Sequence, residues 1–271
     1  MQLASLHLYP VKSLRGLSVA RAEIDALGIV GDRRFLVVDA DGQFLTQRAH
    51  SRMALIETAL SGGVLTLRAA KLGEVQVGCA PDSQADIVRV RLWSDAGLAA
   101  EDCGPEPAAL LSAFLDAACR LVRIGPAFHR PVRPSRAKPG DQMAFADGFP
   151  FLAIGDGTLD ALNRRLAAAG APAVPMNRFR PNLVFSGCPA HAEDQWPHIR
   201  VGEIDFRSAG PCKRCVITTI DQATAERGPE PLRTLAAYRR NASDPTHVDF
   251  GLNLIHETKC GVLRIGDSVE V

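Results

Sequence analysis

The chain has 271 residues, of which 46% are hydrophobic and 23% charged, and its formal net charge is +1. This length allows a large core and two domains, and the near-zero charge lacks the basic excess that nucleic-acid binding needs. We find no signal peptide and no apolar run of about 18 residues that could span a bilayer. Seven scattered cysteines fit a reducing compartment. We therefore predict a soluble, cytoplasmic protein that binds neither nucleic acid nor membrane.

Short segments of alternating polarity fill the first third of the chain, separated by Gly, Ser or Asp-Gly turns. The predicted strands are 6–9, 20–24, 35–39, 44–46, 55–60, 64–67, 74–77 and 87–93. Such a succession is typical of an antiparallel sheet or a partly closed barrel.

The spacing of apolar residues changes at 107–119. There apolar side chains recur at helical spacing and predict an amphipathic helix. A polar, proline-rich stretch at 126–141 is predicted to be a mobile loop or a domain boundary. The rest of the chain alternates strands with helices at 159–169 and 231–239. Its predicted strands are 120–124, 151–154, 179–186, 199–206, 253–255, 261–265 and 268–271. The predicted fold class is α+β, predominantly β.

Two cysteines three positions apart, Cys212 and Cys215, enclose Lys213 and Arg214. Nearby positive charge stabilises a thiolate, so these thiols should ionise more easily than free ones. The apolar run at 216–220 predicts a buried strand with the thiols at its mouth. This arrangement is typical of a binding site.

The cysteine pair has three chemical interpretations, of which the last two stay open. A thioredoxin-like pair should begin a helix, and the β-branched residues that follow disfavour it. A structural zinc site needs four ligands, which Cys188 and His191 would complete with the pair. The third interpretation is one thiolate ligand to a metal cofactor that brings its other ligands itself.

Cations recur in predicted loops at strand ends. Lys12 and Ser13 follow one strand, Arg33 follows a Gly-Asp turn, and Arg180 and Asn182 flank Pro181. Together these groups would bind a phosphate, the arginines bidentately and the lysine as a point charge. Singly, each is an ordinary solvated turn residue.

Six motifs follow one another along the chain: LYPVKS at 8–13, GDRRF at 31–35, FRPNL at 179–183, CKRCVITTID at 212–221, FGLN at 250–253 and IGD at 265–267. In this order they resemble the MOSC family (molybdenum cofactor sulfurase C-terminal) over essentially the whole chain. The resemblance implies an N-terminal antiparallel β-barrel-like domain over residues 1–120. A MOSC β-barrel with peripheral helices would follow over residues 121–271, with a cofactor site between the two.

The resemblance is greatest to MOSC enzymes that reduce N-hydroxylated compounds, and it implies a role for each site residue. Cys215 would be the catalytic molybdenum ligand and Cys212 its supporting neighbour. Lys12, Ser13 and Arg33 would hold the phosphate of the cofactor, Mo-molybdopterin. The remaining implied residues of the cofactor pocket are Arg180, Asn182, Lys213, Arg214 and Asn253.

The implied activity is a molybdenum-dependent reductase that removes oxygen from the N–O bond of N-oxygenated substrates. The chain carries no flavin, haem or iron–sulfur motif, so we expect electrons from a separate ferredoxin-, flavoprotein- or cytochrome-type protein. An alternative is a sulfur or molybdenum-cofactor carrier with a persulfide on Cys215. A zinc-stabilised binding module is the third hypothesis.

Overall fold

A computed structural model describes residues 1–133 and 136–271 of the chain. The first part consists of short strands followed by one helix, α1 (Pro105–Leu115). Its strands are β1 (Gln2–Leu8), β2 (Leu17–Val19), β3 (Arg21–Asp25), β4 (Gly28–Ile29), β5 (Phe35–Val38), β6 (Glu57–Ser61), β7 (Val64–Ala69), β8 (Gly73–Gly78), β9 (Ile87–Leu92), β10 (Asp95–Asp102) and β11 (Arg120–Arg123).

The second part mixes strands with two helices, α2 (Asp156–Ala168) and α3 (Leu232–Tyr238). Its strands are β12 (Phe151–Gly155), β13 (Leu183–Ser186), β14 (His198–Val201), β15 (Ile204–Arg214), β16 (Val248–His256), β17 (Gly261–Arg264) and β18 (Val269–Glu270). Short 3-10 helices lie at Ser51–Leu55, Met176–Arg178, Ala192–Gln195 and Val216–Thr219. No helix of the described residues is long and apolar enough to cross a membrane.

The strands form one large sheet and three smaller ones. The large sheet has eight strands in the order β18-β14-β15-β16-β12-β13-β1-β2. The smaller sheets have the orders β5-β11-β10-β9, β6-β7-β8 and β17-β3-β4. The predicted α+β, mainly β fold is confirmed. The N-terminal strands β1 and β3 pair with β13 and β17 from the C-terminal part.

Strand pairing brings three loops together. β1 and β13 run antiparallel with Leu6 opposite Leu183, so the end of β1 lies beside the start of β13. A bridge between Val11 and Phe35 adds the start of β5 to the same place. The loops after β1, before β5 and before β13 therefore converge.

The core of the large sheet is apolar and closely packed. Buried side chains from β1, β12, β13, β15 and β16 form one cluster. β16 passes so close to β12 that only glycine fits at position 251: its φ is +84°, and an added Cβ would lie 2.8 Å from Ala153 O. Such close backbone approach is a specific use of glycine.

The strand predicted at 216–220 is wrong, because Val216–Thr219 is a 3-10 helix. The Thr218 hydroxyl donates to Cys215 O at 3.0 Å, and the Thr219 hydroxyl donates to Val216 O at 2.8 Å. These local bonds satisfy carbonyls three residues back and favour a helical turn over a strand ladder. Val216 is 48% exposed, so the run is not buried throughout.

The stretch predicted as a mobile loop, 126–141, is anchored in its described part. Arg130 is only 1% exposed, pairs with Asp95 at 2.8 Å and donates to the carbonyls of Ala144 and Ala146. A charge buried this deeply needs such partners. Positions 134 and 135 of the prediction lie outside the described residues.

Candidate functional site

Tyr9, in the loop after β1, lies between two arginines. The Arg33 guanidinium is 4.6 Å from the ring centroid and that of Arg180 is 4.2 Å away. The Tyr9 hydroxyl donates to Pro181 O at 3.0 Å, and burial raises its pKa to about 12. A neutral aromatic ring thus holds two cations near each other, which cation–π attraction favours.

Arg33 is oriented by two side chains. Its Nη1 donates to Asp32 Oδ2 at 2.5 Å and to Asn182 Oδ1 at 2.9 Å. Asn182 is 1% exposed, and its Nδ2 donates to His7 O at 3.2 Å. The amide of Asn182 is therefore engaged with the protein, and its direct effect is to position Arg33.

Lys12 is a buried cation with an exposed counter-ion. It is 6% exposed, donates to Phe145 O at 3.0 Å and forms an ion pair with Asp147, whose side chain is 58% exposed. Burial lowers the pKa of Lys12 to about 8, and Asp147 opposes that shift. Because the Asp147 side chain can turn into solvent, an incoming anion can replace it as the partner of Lys12.

The backbone is strained at the residues that carry these groups. Ser13, Arg33 and Arg180 have φ values of 68°, 50° and 55°, in the left-handed region. Each such residue costs on the order of 1–3 kcal/mol and persists only where the surroundings enforce it. Strain of this kind is concentrated at functional sites, so its presence at three predicted residues favours a site here.

The two cysteines have different surroundings. Arg214 Nη1 donates to Cys212 Sγ at 2.9 Å, and burial raises the pKa of Cys212. Arg48 Nη2 donates to Cys215 Sγ at 3.1 Å, and Cys215 is partly exposed. Arg214 Nη2 also donates to Phe179 O at 2.6 Å, which ties the cysteine stretch to the Arg180 loop. Cys212 packs against the apolar cluster that includes side chains of α2 and α3, and both cysteines are partly exposed.

Two residues of the predicted pocket make contacts of a different kind. Lys213 is 47% exposed and pairs with Asp244 at 3.0 Å, since alternate side chains of β15 point to opposite faces. Asn253 donates to Pro211 O at 3.2 Å and links β16 to β15. These contacts do not bring either residue to Tyr9 and its arginines.

The zinc hypothesis lacks a ligand set. Within residues 1–133 and 136–271, no three His, Cys, Asp or Glu side chains are grouped to hold a metal ion. Cys188 is buried against Gly155, where an added Cβ would lie 2.9 Å from its sulfur. Cys188 and His191 therefore do not complete a four-ligand site with Cys212 and Cys215.

Several residues at the site were missed from the sequence: Arg48, Trp93, Asp147 and Gln222. Gln222 and Gln47 exchange amide hydrogen bonds of 2.9 and 3.1 Å, and Gln222 Oε1 accepts from Arg180 at 3.5 Å. Arg48 and Cys215 are 167 positions apart. Motif spacing carries no signal for such a pair, because only the fold brings it together.

Comparison with known proteins gives matches along nearly the whole chain. Residues 1–118 match the MOSC N-terminal beta barrel domain and residues 140–270 match the MOSC domain. The chain is 34% identical to mitochondrial amidoxime-reducing component 1 of Mus musculus, over 98% of this chain and 81% of the relative. It is 32% identical to mitochondrial amidoxime reducing component 2 of Homo sapiens, over 98% and 82%.

A crystal structure of the YUAD protein from Bacillus subtilis aligns with 99% of this chain and 93% of that one, at 12% identity and a TM-score of 0.43. The relatives also correct the expected location. The prediction of a cytoplasmic protein is wrong, because the amidoxime-reducing relatives are named mitochondrial components.

Proposed function

This chain belongs to the MOSC family, and from that premise we propose that it is a molybdenum-cofactor oxidoreductase that reduces N-hydroxylated and other N-oxygenated compounds. The observation that carries the proposal is 34% identity, over 98% of the chain, to a relative named for reducing amidoximes. The chemistry of the candidate site supports it independently.

The donor set fits an anionic, metal-bearing cofactor. Cys215 offers a reachable soft sulfur, the ligand type that thiophilic metals select. Arg178 Nε and Arg214 Nε are buried and have no hydrogen-bond partner within the described part of the chain. Buried donors are normally paired, so these arginines await acceptors such as phosphate or pterin oxygens.

We assign Cys215 as the metal ligand and the following residues to Mo-molybdopterin binding: Lys12, Ser13, Arg33, Arg180, Asn182, Lys213, Arg214 and Asn253. The contacts support Lys12, Arg33 and Arg180 most directly, because they are cations held close to Tyr9 or Asp147. Lys213 and Asn253 have the least support, since their partners are Asp244 and Pro211.

When bound, the cofactor supplies the two-electron chemistry that breaks the N–O bond. The protein's part is to bind, orient and neutralise charge. Tyr9 holds Arg33 and Arg180 in place, and Lys12 adds positive charge at pH values below its pKa of about 8. The electrons would come from a separate ferredoxin-, flavoprotein- or cytochrome-type protein.

The proposed site lies between a domain of residues 1–120 and one of residues 121–271. Tyr9 donates to Pro181 O, and Gln47 pairs with Gln222, so each part contributes to the same cluster. These contacts support a cofactor site held by both parts, and the separate matches of residues 1–118 and 140–270 support the division.

The two cysteines provide a matched test. We expect Cys215→Ser to abolish reduction of an aryl amidoxime with an artificial electron donor, because the soft ligand is lost. Cys212→Ser should retain most activity, since that thiol is held by Arg214 and is not assigned to the metal. Equal loss in both variants would contradict the single-ligand assignment. Sulfane sulfur on Cys215 without molybdenum would instead support a sulfur carrier.

A further inference from the structure

Arg48 is fixed directly beside Cys215. Its Nη2 donates to Cys215 Sγ at 3.1 Å, and its guanidinium lies 4.2 Å from the ring centroid of Trp93. Its backbone is held as well: its N–H donates to Thr46 Oγ1 at 3.1 Å, and its carbonyl accepts from Arg227 Nη2 at 2.7 Å. The guanidinium therefore has a defined position in the absence of any ligand.

Trp93, which supports Arg48, is itself constrained. Its φ of 58° is left-handed, its Nε1 donates to Asp147 Oδ1 at 3.2 Å, and its ring meets Phe44 edge-on at 4.7 Å. Asp147 also pairs with Lys12. A continuous series of contacts thus runs from the proposed phosphate-binding lysine to the proposed metal ligand.

One buried nitrogen of the Arg48 guanidinium lacks a hydrogen-bond partner among the described groups. Nη1 is buried and has no partner among the described groups, while Nη2 is engaged with the sulfur. A guanidinium has donors only and stays charged, so Nη1 needs an acceptor, which none of the described groups supplies and which an arriving ligand can bring. A buried donor left unpaired is costly, which gives that ligand a strong preference for this position.

We propose that Arg48 is a substrate-binding residue whose Nη1 donates to the oxygen of the N–O group while Nη2 holds Cys215. This rests on the proposed function above. The cofactor phosphate is assigned to Lys12 and Arg33, whereas Arg48 touches the sulfur next to which the substrate must react. Val216, the neighbour of Cys215, is 48% exposed and marks an open approach.

The test compares Arg48→Met and Arg48→Lys with the control Arg52→Met in molybdenum-loaded protein. Arg52 also stacks on an aromatic ring, 4.6 Å from the centroid of Phe114, and makes no contact with Cys215. Trp93 fluorescence in a Trp196→Phe background, without electron donor, reports the dissociation constant of an aryl amidoxime. Molybdenum content, KM, kcat and the Mo(V) electron paramagnetic resonance spectrum complete the comparison.

We expect Arg48→Met to raise the dissociation constant and KM about tenfold or more at unchanged molybdenum content, as loss of a charged hydrogen bond predicts. Its Mo(V) spectrum should shift because the contact with Cys215 is lost. Arg48→Lys should recover part of the affinity, and Arg52→Met should match the wild type. Arg48→Lys also serves as the variant to compare if Arg48→Met does not fold.

Two results would overturn the proposal. In the first, loaded Arg48→Met binds the amidoxime as tightly as the wild type. In the second, Arg48→Met loses molybdenum while its KM, and its kcat per bound molybdenum, stay the same as in the wild type. That result makes Arg48 a cofactor residue. If molybdenum-loaded wild type binds the amidoxime without reducing it, only the proposed function is refuted. The dissociation constants of the variants still decide whether Arg48 binds the substrate.

Discussion

The arrangement of the candidate site residues costs free energy, through charge repulsion and backbone strain, and neighbouring residues must offset that cost. Tyr9 lies between Arg33 and Arg180, two like charges that would separate without the ring and without Asp32. The left-handed backbone at both arginines adds strain. The surrounding hydrogen bonds hold these residues ready for an anion, so a ligand need not order them on binding.

Substitutions at Tyr9 separate the ring from the hydroxyl. Tyr9→Phe keeps the ring between the arginines and loses the bond to Pro181 O, so we expect near-normal cofactor content and about 1 kcal/mol lower stability. Tyr9→Leu loses the ring and should lose most of the bound molybdenum and pterin. Elemental analysis and pterin assay of both purified variants measure this. Equal cofactor content in the two would show that the ring has no such role.

Lys12 should make stability depend on pH. Its pKa is about 8 in the folded protein and about 10.4 when unfolded, so between these values the unfolded state binds more protons. The unfolding free energy of the cofactor-free protein should therefore rise from pH 8 to pH 10, by up to about 1.4 kcal/mol per pH unit. Urea unfolding of the wild type and Lys12→Met measures this. The same pH dependence in both would refute the burial effect.

At the scale of elements, β16 carries the tightest packing near the site. An added Cβ at Gly251 would lie 2.7 Å from Ile154 Cγ1 and 2.8 Å from Ala153 O. Phe250, the preceding residue, stacks on Phe179 at 4.2 Å, next to Arg180 in the chain. The position of β16 against β12 is therefore coupled to the loop that carries Arg180.

Two glycines with positive φ, Gly170 and Gly251, allow the cost of backbone strain to be separated from the cost of a steric clash. Gly170→Ala adds a Cβ in open space and should cost about 1 kcal/mol of stability. Gly251→Ala adds the same strain and a collision with β12, so we expect a loss of more than about 3 kcal/mol. Chemical denaturation of both variants measures the difference. Similar losses would mean that β12 and β16 can shift apart without penalty.

Local sequence patterns were sufficient to predict several strands and the helices. Alternation identified the strands from β6 to β9, helical spacing identified α1, and the helices predicted at 159–169 and 231–239 correspond to α2 and α3. The strand β10 was missed, because Asp95, Ala96 and Gly97 at its start are typical of a turn. The 3-10 helix after Cys215 was missed because β-branched residues favour strands. The hydrogen bonds from the threonine hydroxyls to backbone carbonyls, which favour the helical turn, are visible only in the structure.

The candidate site could be predicted only where sequence motifs contain its residues. Lys12, Arg33 and Arg180 stand in motifs at strand ends, and strand pairing brings their loops together. Arg48 and Gln222 lie outside the chosen motifs, and their contacts with Cys215 and Gln47 span 167 and 175 positions. A sequence without its fold gives no reason to join such distant residues.

At the scale of the whole molecule, the two proposed domains are interleaved. β1 lies in the eight-stranded sheet beside β13, and β3 pairs with β17. The hydrogen bonds of Tyr9 and Gln47 cross between the same two parts. A cofactor held at this junction would stabilise both parts, since a ligand that binds only the folded state raises stability.

Interleaving predicts that the two parts unfold together. Trp93 lies in the first part and Trp196 in the second, and the chain has two tryptophans. In Trp196→Phe and Trp93→Phe variants, each with one fluorophore, we expect denaturation curves that coincide with circular dichroism of the same variant. A fluorescence transition clearly separated from the circular dichroism transition would indicate independent domains.

The central claim is that this chain binds the molybdenum cofactor and uses it to reduce N–O bonds. The most direct measurement is molybdenum and pterin content of protein made with cofactor synthesis intact, followed by reduction of an aryl amidoxime with an artificial electron donor. We predict near-stoichiometric molybdenum and pterin, and amine product formed in proportion to bound molybdenum. Protein that contains neither molybdenum nor pterin, or loaded protein that leaves the amidoxime intact, would contradict the account.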